Sequence, residues 1–310
     1  MSSNEPMMRR LFRPLALMLA LSAAAAAWGA PALMDLPKGA VMLLPLQWDI
    51  TAKMIFAPKT KPIANPKDMI LLADKAGRPW LGSDGKMFAD VLKGSLIVTD
   101  QGYRDAAFFD DGSLLLCTDS ALGYLEEAPE KERQKNKFLM HFHPRLTTPY
   151  KGMRIFAGEN KTIYVVGRNP ADGRYELFLT EDSGEGKKDF IKLLAIKDEI
   201  TAVAGDGRTT YFATGSLIAR VPSGERKLER VVMLPDEPIK ELAYSTKAGL
   251  FYSTAKGVGY VGAEKPLLFL SAAGVSMRMR RDSLLVLFVK EQQVMEFGGI
   301  SGFSKLLGRK

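Results

Sequence analysis

The segment FFDDGSLLLCTDSALGYLEE, residues 108–127, holds the residues of this chain that most resemble a reactive site. Asp110, Asp111 and Asp119 are carboxylates, and Cys117 is the only cysteine among 310 residues. Neighbouring carboxylates could bind Ca²⁺, and a cysteine with a base nearby could act as a nucleophile. However, no calcium-loop spacing follows the aspartates, and three leucines precede the cysteine. The pattern favours a β-turn at Asp110 and Asp111 and a buried, inert thiol.

The two histidines of the chain, His141 and His143, are a candidate metal site. Strand geometry places residues two apart on the same face, where two imidazoles could bind Zn²⁺ or Cu²⁺. A third ligand would have to be of another residue type. We therefore predict no cofactor and leave a divalent metal open.

Arginine and methionine alternate in the segment SMRMRR, which places Arg278 and Arg280 on one face of a predicted strand. If that strand lines a central channel, the two guanidinium groups could hold a carboxylate or a phosphate. In the alternative interpretation, these side chains simply extend into water near a turn.

The first 30 residues have the composition of a secretory signal peptide. A basic stretch, MMRRLFRP, precedes the apolar run LALMLALSAAAAAWGA, and the small residues near Ala27 or Ala30 suit cleavage. No cysteine follows the apolar run, which excludes a lipoprotein anchor. An uncleaved anchor is the alternative, but the run is short for a bilayer span. We predict a Sec-type signal peptide at 1–30 and a periplasmic or secreted protein.

The charge outside this signal peptide is positive. The chain has a formal net charge of +8, and its first 30 residues contribute three arginines and one glutamate. Nucleic acid is not expected as a partner of an exported protein, whereas a polyanionic envelope surface is. We expect a protein or polysaccharide partner, with membrane contact only through a retained signal segment.

A structural repeat accounts for most of the remaining sequence. Short runs of leucine, β-branched and aromatic residues alternate with turns rich in Gly, Asp, Asn and Lys, which is typical of all-β proteins. Related segments begin near residues 68, 104, 153, 200, 239 and 275. Each places a polar turn before a nearly continuous apolar run, which predicts a strand buried on both faces.

Units of this length predict an all-β fold, a six-bladed β-propeller of four-stranded antiparallel blades over residues 68–303. The last unit lacks an outer strand, which a strand from segment 31–67 could supply, closing the ring. Residues 304–310 form a tail. Two β-sandwich domains are the alternative.

Three of the repeat segments also resemble those of known propellers. DGSLLLCTDSALGYL, DGRTTYFATGSLIARV and KAGLFYSTAKGVGYV are similar to the repeats of sensor-type and lactonase-like β-propellers, although a tryptophan common in that pattern is replaced by Leu115. The resemblance implies a fold and no particular activity.

In other β-propellers, function usually lies on one face of the ring, and we apply that analogy here. This face is built from the loops that precede the first strand of each blade and the loops that join its second and third strands. We call it the leading face. Its candidate binding residues are Arg104, Asp105, Asp119, Ser120, Tyr150, Lys151, Asp198 and Glu199. These residues mix both signs of charge and include no histidine, so we predict no catalytic residue.

Two functions follow as hypotheses. The first is an exported, non-catalytic propeller that binds a protein or polysaccharide through one face, because a rigid ring with variable loops suits a binding platform. The alternative is a carboxylate-metal-dependent hydrolase of the lactonase-like type, with its metal at the mouth of the channel. Convergence of three or four Asp, Glu or Asn oxygens would favour the hydrolase.

Overall fold

The computed structural model describes the repeat region and two short segments that precede it. The described residues are 36–43, 50–57 and 69–303, except for 75, 84, 109–111, 120, 148–149, 160–161, 183–187, 223–226, 235–236 and 263–264. The predictions for the signal peptide, the C-terminal tail, the turn at Asp110 and Asp111, and Ser120 lie outside the described residues. No helix within the described ranges is long and apolar enough to cross a bilayer.

Strands are the dominant element of the described chain. In chain order they are β1 Val41–Met42, β2 Thr51–Phe56, β3 Ile70–Ala73, β4 Pro79–Ser83, β5 Met87–Asp90, β6 Leu96–Thr99, β7 Asp105–Phe108, β8 Leu114–Cys117, β9 Ala121–Glu127, β10 Leu139–Thr147, β11 Lys151–Ala157, β12 Ile163–Arg168, β13 Tyr175–Asp182, β14 Lys188–Ile196, β15 Ala202–Gly205, β16 Thr209–Thr214, β17 Leu217–Pro222, β18 Glu229–Met233, β19 Glu241–Ser245, β20 Gly249–Ser253, β21 Gly257–Val261, β22 Pro266–Ser271, β23 Val275–Arg280, β24 Ser283–Phe288 and β25 Gln293–Gly298. A short helix, α1 (Glu130–Arg133), lies between β9 and β10, in the charged insertion EEAPEKERQKNK.

The described strands form mostly four-stranded antiparallel sheets. Three sheets have four strands, in the orders β11-β12-β13-β14, β15-β16-β17-β18 and β2-β25-β24-β23. A fourth sheet has the order β19-β20-β21-β22 with β1 added beyond β22. The remaining sheet has eight strands, in the order β3-β4-β5-β6-β10-β9-β8-β7.

The first strands of the six repeat segments lie side by side. β3 contacts β7, β7 contacts β11, β11 contacts β15, β15 contacts β19, β19 contacts β23, and β23 returns to β3. Antiparallel sheets arranged in this way around a shared centre define a β-propeller-like fold. The all-β propeller prediction is thereby confirmed at this level, and the alternative of two β-sandwich domains is wrong, because the first strands form one closed cycle.

The eight-stranded sheet contains two consecutive runs of four antiparallel strands. The runs meet where β6 and β10 pair in parallel, with Leu139 opposite Val98 and Met140 opposite Thr99. The Asp100 carboxylate also accepts the backbone N–H of Phe142 at 2.9 Å. The sequence repeat did not predict this joint, because the residues that form it are distant in the chain.

The hydrophobic core lies between neighbouring sheets. Every residue of β8 and of β24 is buried, as their apolar runs predicted. One cluster packs Leu115 and Leu122 against Ile155 and Val165 of the next sheet. Each such side chain contributes about 1.5–3 kcal/mol when it is fully buried. Cys117 is fully buried in the same cluster, and burial raises the pKa of its thiol, which makes it a poor nucleophile.

Two strands from the N-terminal segment are added to the sheets of the C-terminal region. β2 pairs with β25, with Thr51 opposite Gly298, and so becomes the fourth strand of the last sheet. β1 pairs with β22, with Val41 opposite Ser271. These pairings cover strand edges that would otherwise expose unpaired backbone groups.

Candidate functional site

A basic cleft lies at the end of the fold where the first strands begin. Its volume is about 460 Å³, and it is wide open to solvent. The lining residues come from the loop before β7, the start of β11, the end of β12, the start of β13, and the loop before β15. They are Arg104, Lys151, Gly152, Met153, Arg154, Arg168, Tyr175 and Glu199. We call this the leading-face cleft.

A β-bulge in β11 brings two basic side chains into the cleft. The pairing of β11 with β12 changes register between Lys151 and Arg154, and Gly152 has a φ of +60°. Residues three apart in a regular strand face opposite sides. The extra residue of the bulge offsets that alternation, so Lys151 and Arg154 both line the cleft.

Two of the cations directly face each other. Lys151 is the cross-strand partner of Arg168, and like charges directly opposite each other destabilise a sheet. Within the described residues, neither side chain forms an ion pair with a carboxylate. Arg168 donates its Nε–H to the carbonyl of Gly173 at 3.1 Å, and its guanidinium lies 6.0 Å from the ring centre of Tyr175.

Arg104, by contrast, has an acidic neighbour. Its Nε lies 2.6 Å from Oδ1 of Asp119, and both side chains are largely exposed. Exposed ion pairs of this kind contribute little to stability. A Cβ placed on Gly152 would lie 3.7 Å from Nη1 of Arg104, which locates this guanidinium beside the bulge.

Asp105 lies beneath the cleft and joins two neighbouring sheets. Its Oδ2 accepts the N–H of Ile155 at 3.1 Å, and its Oδ1 accepts the N–H of Ala106 at 3.0 Å. Burial raises the pKa of Asp105, although the charges of Arg154 and Arg278 oppose the shift. Its contacts are those of a structural tether.

Tyr150 supports the wall of the cleft through a buried glutamate. Its hydroxyl donates to Oε2 of Glu176 at 2.5 Å, while Asn169 and Lys192 donate to Oε1 at 3.3 Å and 3.2 Å. Burial favours the neutral acid, but these three donors outweigh it and lower the pKa of Glu176. The hydrogen bond raises the pKa of Tyr150 to about 12.

Arg278 and Arg280 belong to a different cavity, of about 250 Å³, where the first strands end. Arg278 Nη1 donates to the carbonyl of Met277 at 2.7 Å and lies 3.5 Å from Oε1 of Glu241. Arg280 Nη1 donates to Oε2 of Glu296 at 2.7 Å. Both predicted anion-binding arginines therefore already have carboxylate neighbours. We call this second cavity, which Arg278 and Arg280 help to line, the channel cavity.

The histidines lie on β10, away from both cavities. His141 Nε2 is 2.9 Å from Oε2 of Glu132 in α1, and His143 Nε2 is 3.6 Å from Oε2 of Glu126. Across the described part of the chain, no group of three or more His, Cys, Asp or Glu residues is arranged to hold a metal ion.

The structure brings three of the predicted residues, Arg104, Lys151 and Glu199, into one cleft. Asp198 is exposed beside Glu199. Sequence reasoning missed Arg154 and Arg168. The glycine in KGMR was the available signal, because a glycine within a strand often marks a bulge.

Comparison with known proteins supports the fold. No known protein family matches the sequence, and no curated protein matches it. Among solved structures, a gluconolactonase from Xanthomonas campestris aligns with a TM-score of 0.54 at 9% identity, over 81% of this chain and 90% of that chain.

Two further structures are similar. A catalytically inactive virginiamycin B lyase from Staphylococcus aureus, with quinupristin, has a TM-score of 0.50 at 9% identity, over 81% of this chain and 99% of that chain. An extracellular domain from B. thetaiotaomicron has a TM-score of 0.47 at 13% identity, over 71% of this chain and 31% of that chain. At 9% identity, the similarity to the gluconolactonase and to the virginiamycin B lyase shows a shared β-propeller-like fold alone.

Proposed function

We propose that this chain is an exported, non-catalytic β-propeller that binds a protein or polysaccharide partner through its leading face. The observation that carries the proposal is the leading-face cleft, where four basic side chains and one acidic side chain from two loops and two strands converge. Two of those cations, Lys151 and Arg168, lack a carboxylate neighbour among the described residues. A rigid scaffold that presents unpaired charge in a concave site is suited to binding.

The ring of this proposed protein has six blades. The eight-stranded sheet would count as two of them, divided at the parallel pair of β6 and β10. The cycle of contacts among β3, β7, β11, β15, β19 and β23 supports this count. An experimental structure with five or seven first strands around the centre would contradict it.

Export of the chain, to the periplasm or beyond, is part of the same proposal. It rests on the basic and apolar stretches of residues 1–30, which are typical of a signal peptide. N-terminal sequencing of the exported fraction tests it, with a start after Ala27 or Ala30 expected. A start at Met1, Met7 or Met8 would contradict cleavage.

Site-specific photo-crosslinking tests which face binds. A photoreactive residue replaces Asp198 on the leading face in one variant and Asp282, in the turn that joins β23 and β24, in the other. Both positions are exposed. We expect envelope material to crosslink at Asp198 and not at Asp282. Equal or reversed crosslinking would overturn the assignment of the leading face.

Metal analysis separates this proposal from the alternative of a metal-dependent hydrolase. The purified protein is assayed for bound divalent ions, and its melting temperature is measured with and without a chelator. A stoichiometric ion whose removal lowers the melting temperature would contradict the proposed non-catalytic role and favour the hydrolase.

A further inference from the structure

We infer that the leading-face cleft binds the carboxylate groups of an acidic polysaccharide, with one carboxylate held between Lys151 and Arg168. This inference rests on the proposed function and names the chemical class of its partner. Three features carry it: the opposed cations, the donors that surround them, and the shape and chemistry of the cleft.

In the protein without ligand, the two opposed cations repel each other, which is unfavourable for folding. Lys151 and Arg168 are direct cross-strand partners, and the bulge at Gly152 keeps Arg154 on the same side. Proteins normally place opposite charges at such pairs, because like charges repel across a ladder. A bound anion between the two side chains would turn that repulsion into two attractions.

The cleft also supplies directed hydrogen-bond donors. The terminal amino groups of Arg168 make no hydrogen bond within the described residues, because Gly173 takes only its Nε–H. A guanidinium with free terminal groups can bind a carboxylate with charge-assisted hydrogen bonds. Arg104 adds a second guanidinium beside Gly152, and its contact with Asp119 is exposed and weak.

The chemistry of the lining favours a sugar polymer over an acidic protein. The cores of protein–protein interfaces are apolar and are depleted of lysine and glutamate, whereas Lys151 and Glu199 both line this cleft. The exposed large hydrophobic side chains of the described chain lie elsewhere, and none lines the cleft. They are Val41, Leu43, Leu92, Phe138, Ile191, Leu228 and Met233. The half-buried Tyr175 ring offers a surface for the C–H face of a sugar ring beside the cations.

Calorimetric titration of the purified exported protein tests the inference. The probe is a hexamer of galacturonic acid, and the reference ligand is the same hexamer with its carboxylates reduced to alcohols. We expect the acidic hexamer to bind, with an affinity that falls as salt rises. The reduced hexamer should bind at least about tenfold more weakly, which corresponds to ~1.4 kcal/mol.

A charge-matched pair of variants locates the binding site. Lys151→Ala/Arg168→Ala should weaken binding of the hexamer by at least about tenfold. The control variant is Lys131→Ala/Lys135→Ala, which changes two exposed lysines, one within α1 and one just after it. Its affinity for the hexamer should change by less than about twofold. The melting temperature of the cleft variant should stay equal or rise, because like-charge repulsion is removed. Equal losses of affinity in both variants would contradict the assignment of the binding site to the cleft.

A third variant tests the contribution of Arg104. Asp119→Ala removes the carboxylate that lies against its Nε. Since Arg104 would then be free to reach the ligand, we expect the hexamer to bind more tightly, by about twofold to threefold. Weaker binding by this variant would contradict a role for Arg104 in the cleft.

The outcomes distinguish failure of the inference from failure of the proposed function. Tighter binding of a hexaglutamate peptide than of the sugar acid would overturn the polysaccharide and leave leading-face binding intact. Equal binding of the acidic and reduced hexamers, or no binding of either, would overturn the carboxylate site. Only the crosslinking result at Asp198 and Asp282 would then decide whether the leading face binds another partner.

Discussion

The leading-face cleft and the channel cavity both contain arginines, but they use them differently. In the channel cavity, Arg278 lies near Glu241 and Arg280 is bonded to Glu296. In the cleft, Lys151 and Arg168 face each other without a carboxylate between them. Removing one partner of a charge pair in a partly buried site destabilises the fold, because the other charge is left uncompensated. Charges left unpaired at an accessible site cost stability and are instead available to a ligand.

The largest expected effect comes from breaking a charged network of the channel. Glu241 accepts the N–H of Met277 at 2.6 Å and the hydroxyl of Ser276 at 2.8 Å. Glu241→Ala should lower the free energy of unfolding by about 3 kcal/mol, because hydrogen bonds to a charged group are lost and Arg278 loses its carboxylate neighbour. Urea denaturation measures the change.

Glu199→Ala, which removes the same charge from the cleft, is the control for this experiment. Its side chain is exposed, so its free energy of unfolding should change by less than about 0.5 kcal/mol. Comparable losses in the two variants would remove the distinction between the channel and the cleft.

An intermediate effect is expected at the glutamate that supports the cleft wall. Because the pKa of Glu176 is lowered in the folded protein, its contribution to stability is present at neutral pH. That contribution is lost as the pH falls from the ordinary carboxyl range through the folded pKa. Glu176→Gln should destabilise the protein by about 1–2 kcal/mol at neutral pH.

The dependence of this effect on pH is the measurement that checks it. The difference in unfolding free energy between Glu176→Gln and the unchanged protein should shrink in acid. A difference that is constant from pH 7 to about pH 3 would show that the charge of Glu176 is not what stabilises this wall.

The smallest effect on stability tests the bulge itself. Gly152 has a φ of +60°, so Gly152→Ala should cost about 1 kcal/mol. Gly94, with a φ of +72° and open space around it, is a control of equal backbone strain outside the cleft. Both variants should lose similar stability in thermal unfolding, but only Gly152→Ala should weaken binding of the sugar acid. Equal affinity in both would contradict the role of the bulge.

Much of the fold could be predicted from the sequence because short local residue patterns determine its strands and turns. The apolar run LLLC predicted a strand buried on both faces, and β8 is such a strand. The missing outer strand of the last unit pointed to a strand before residue 68, and β2 lies there. The parallel pair of β6 and β10, and the addition of β1 to a complete sheet, depend on tertiary contacts that no local pattern contains.

The cleft could be predicted only in part for a similar reason. Arg104, Lys151 and Glu199 were predicted as binding residues only from their place in the leading-face loops of the sequence. The structure brings these three residues together in the cleft. Arg154 was missed because regular alternation places it on the other side of the strand from Lys151, and the bulge reverses that. Tyr150 and Asp105 had the right positions, but Glu176 and the N–H of Ile155 engage them in structural bonds.

The pairing of β2 with β25 has a consequence for how the chain folds. β2 leaves the ribosome early, but its partner strand is synthesised almost last. The ring therefore has no closed form until nearly the whole chain is present, and its closing contacts span most of the sequence. Contacts of such high sequence separation slow folding. The chain thus tends to stay open until its last strands have been synthesised.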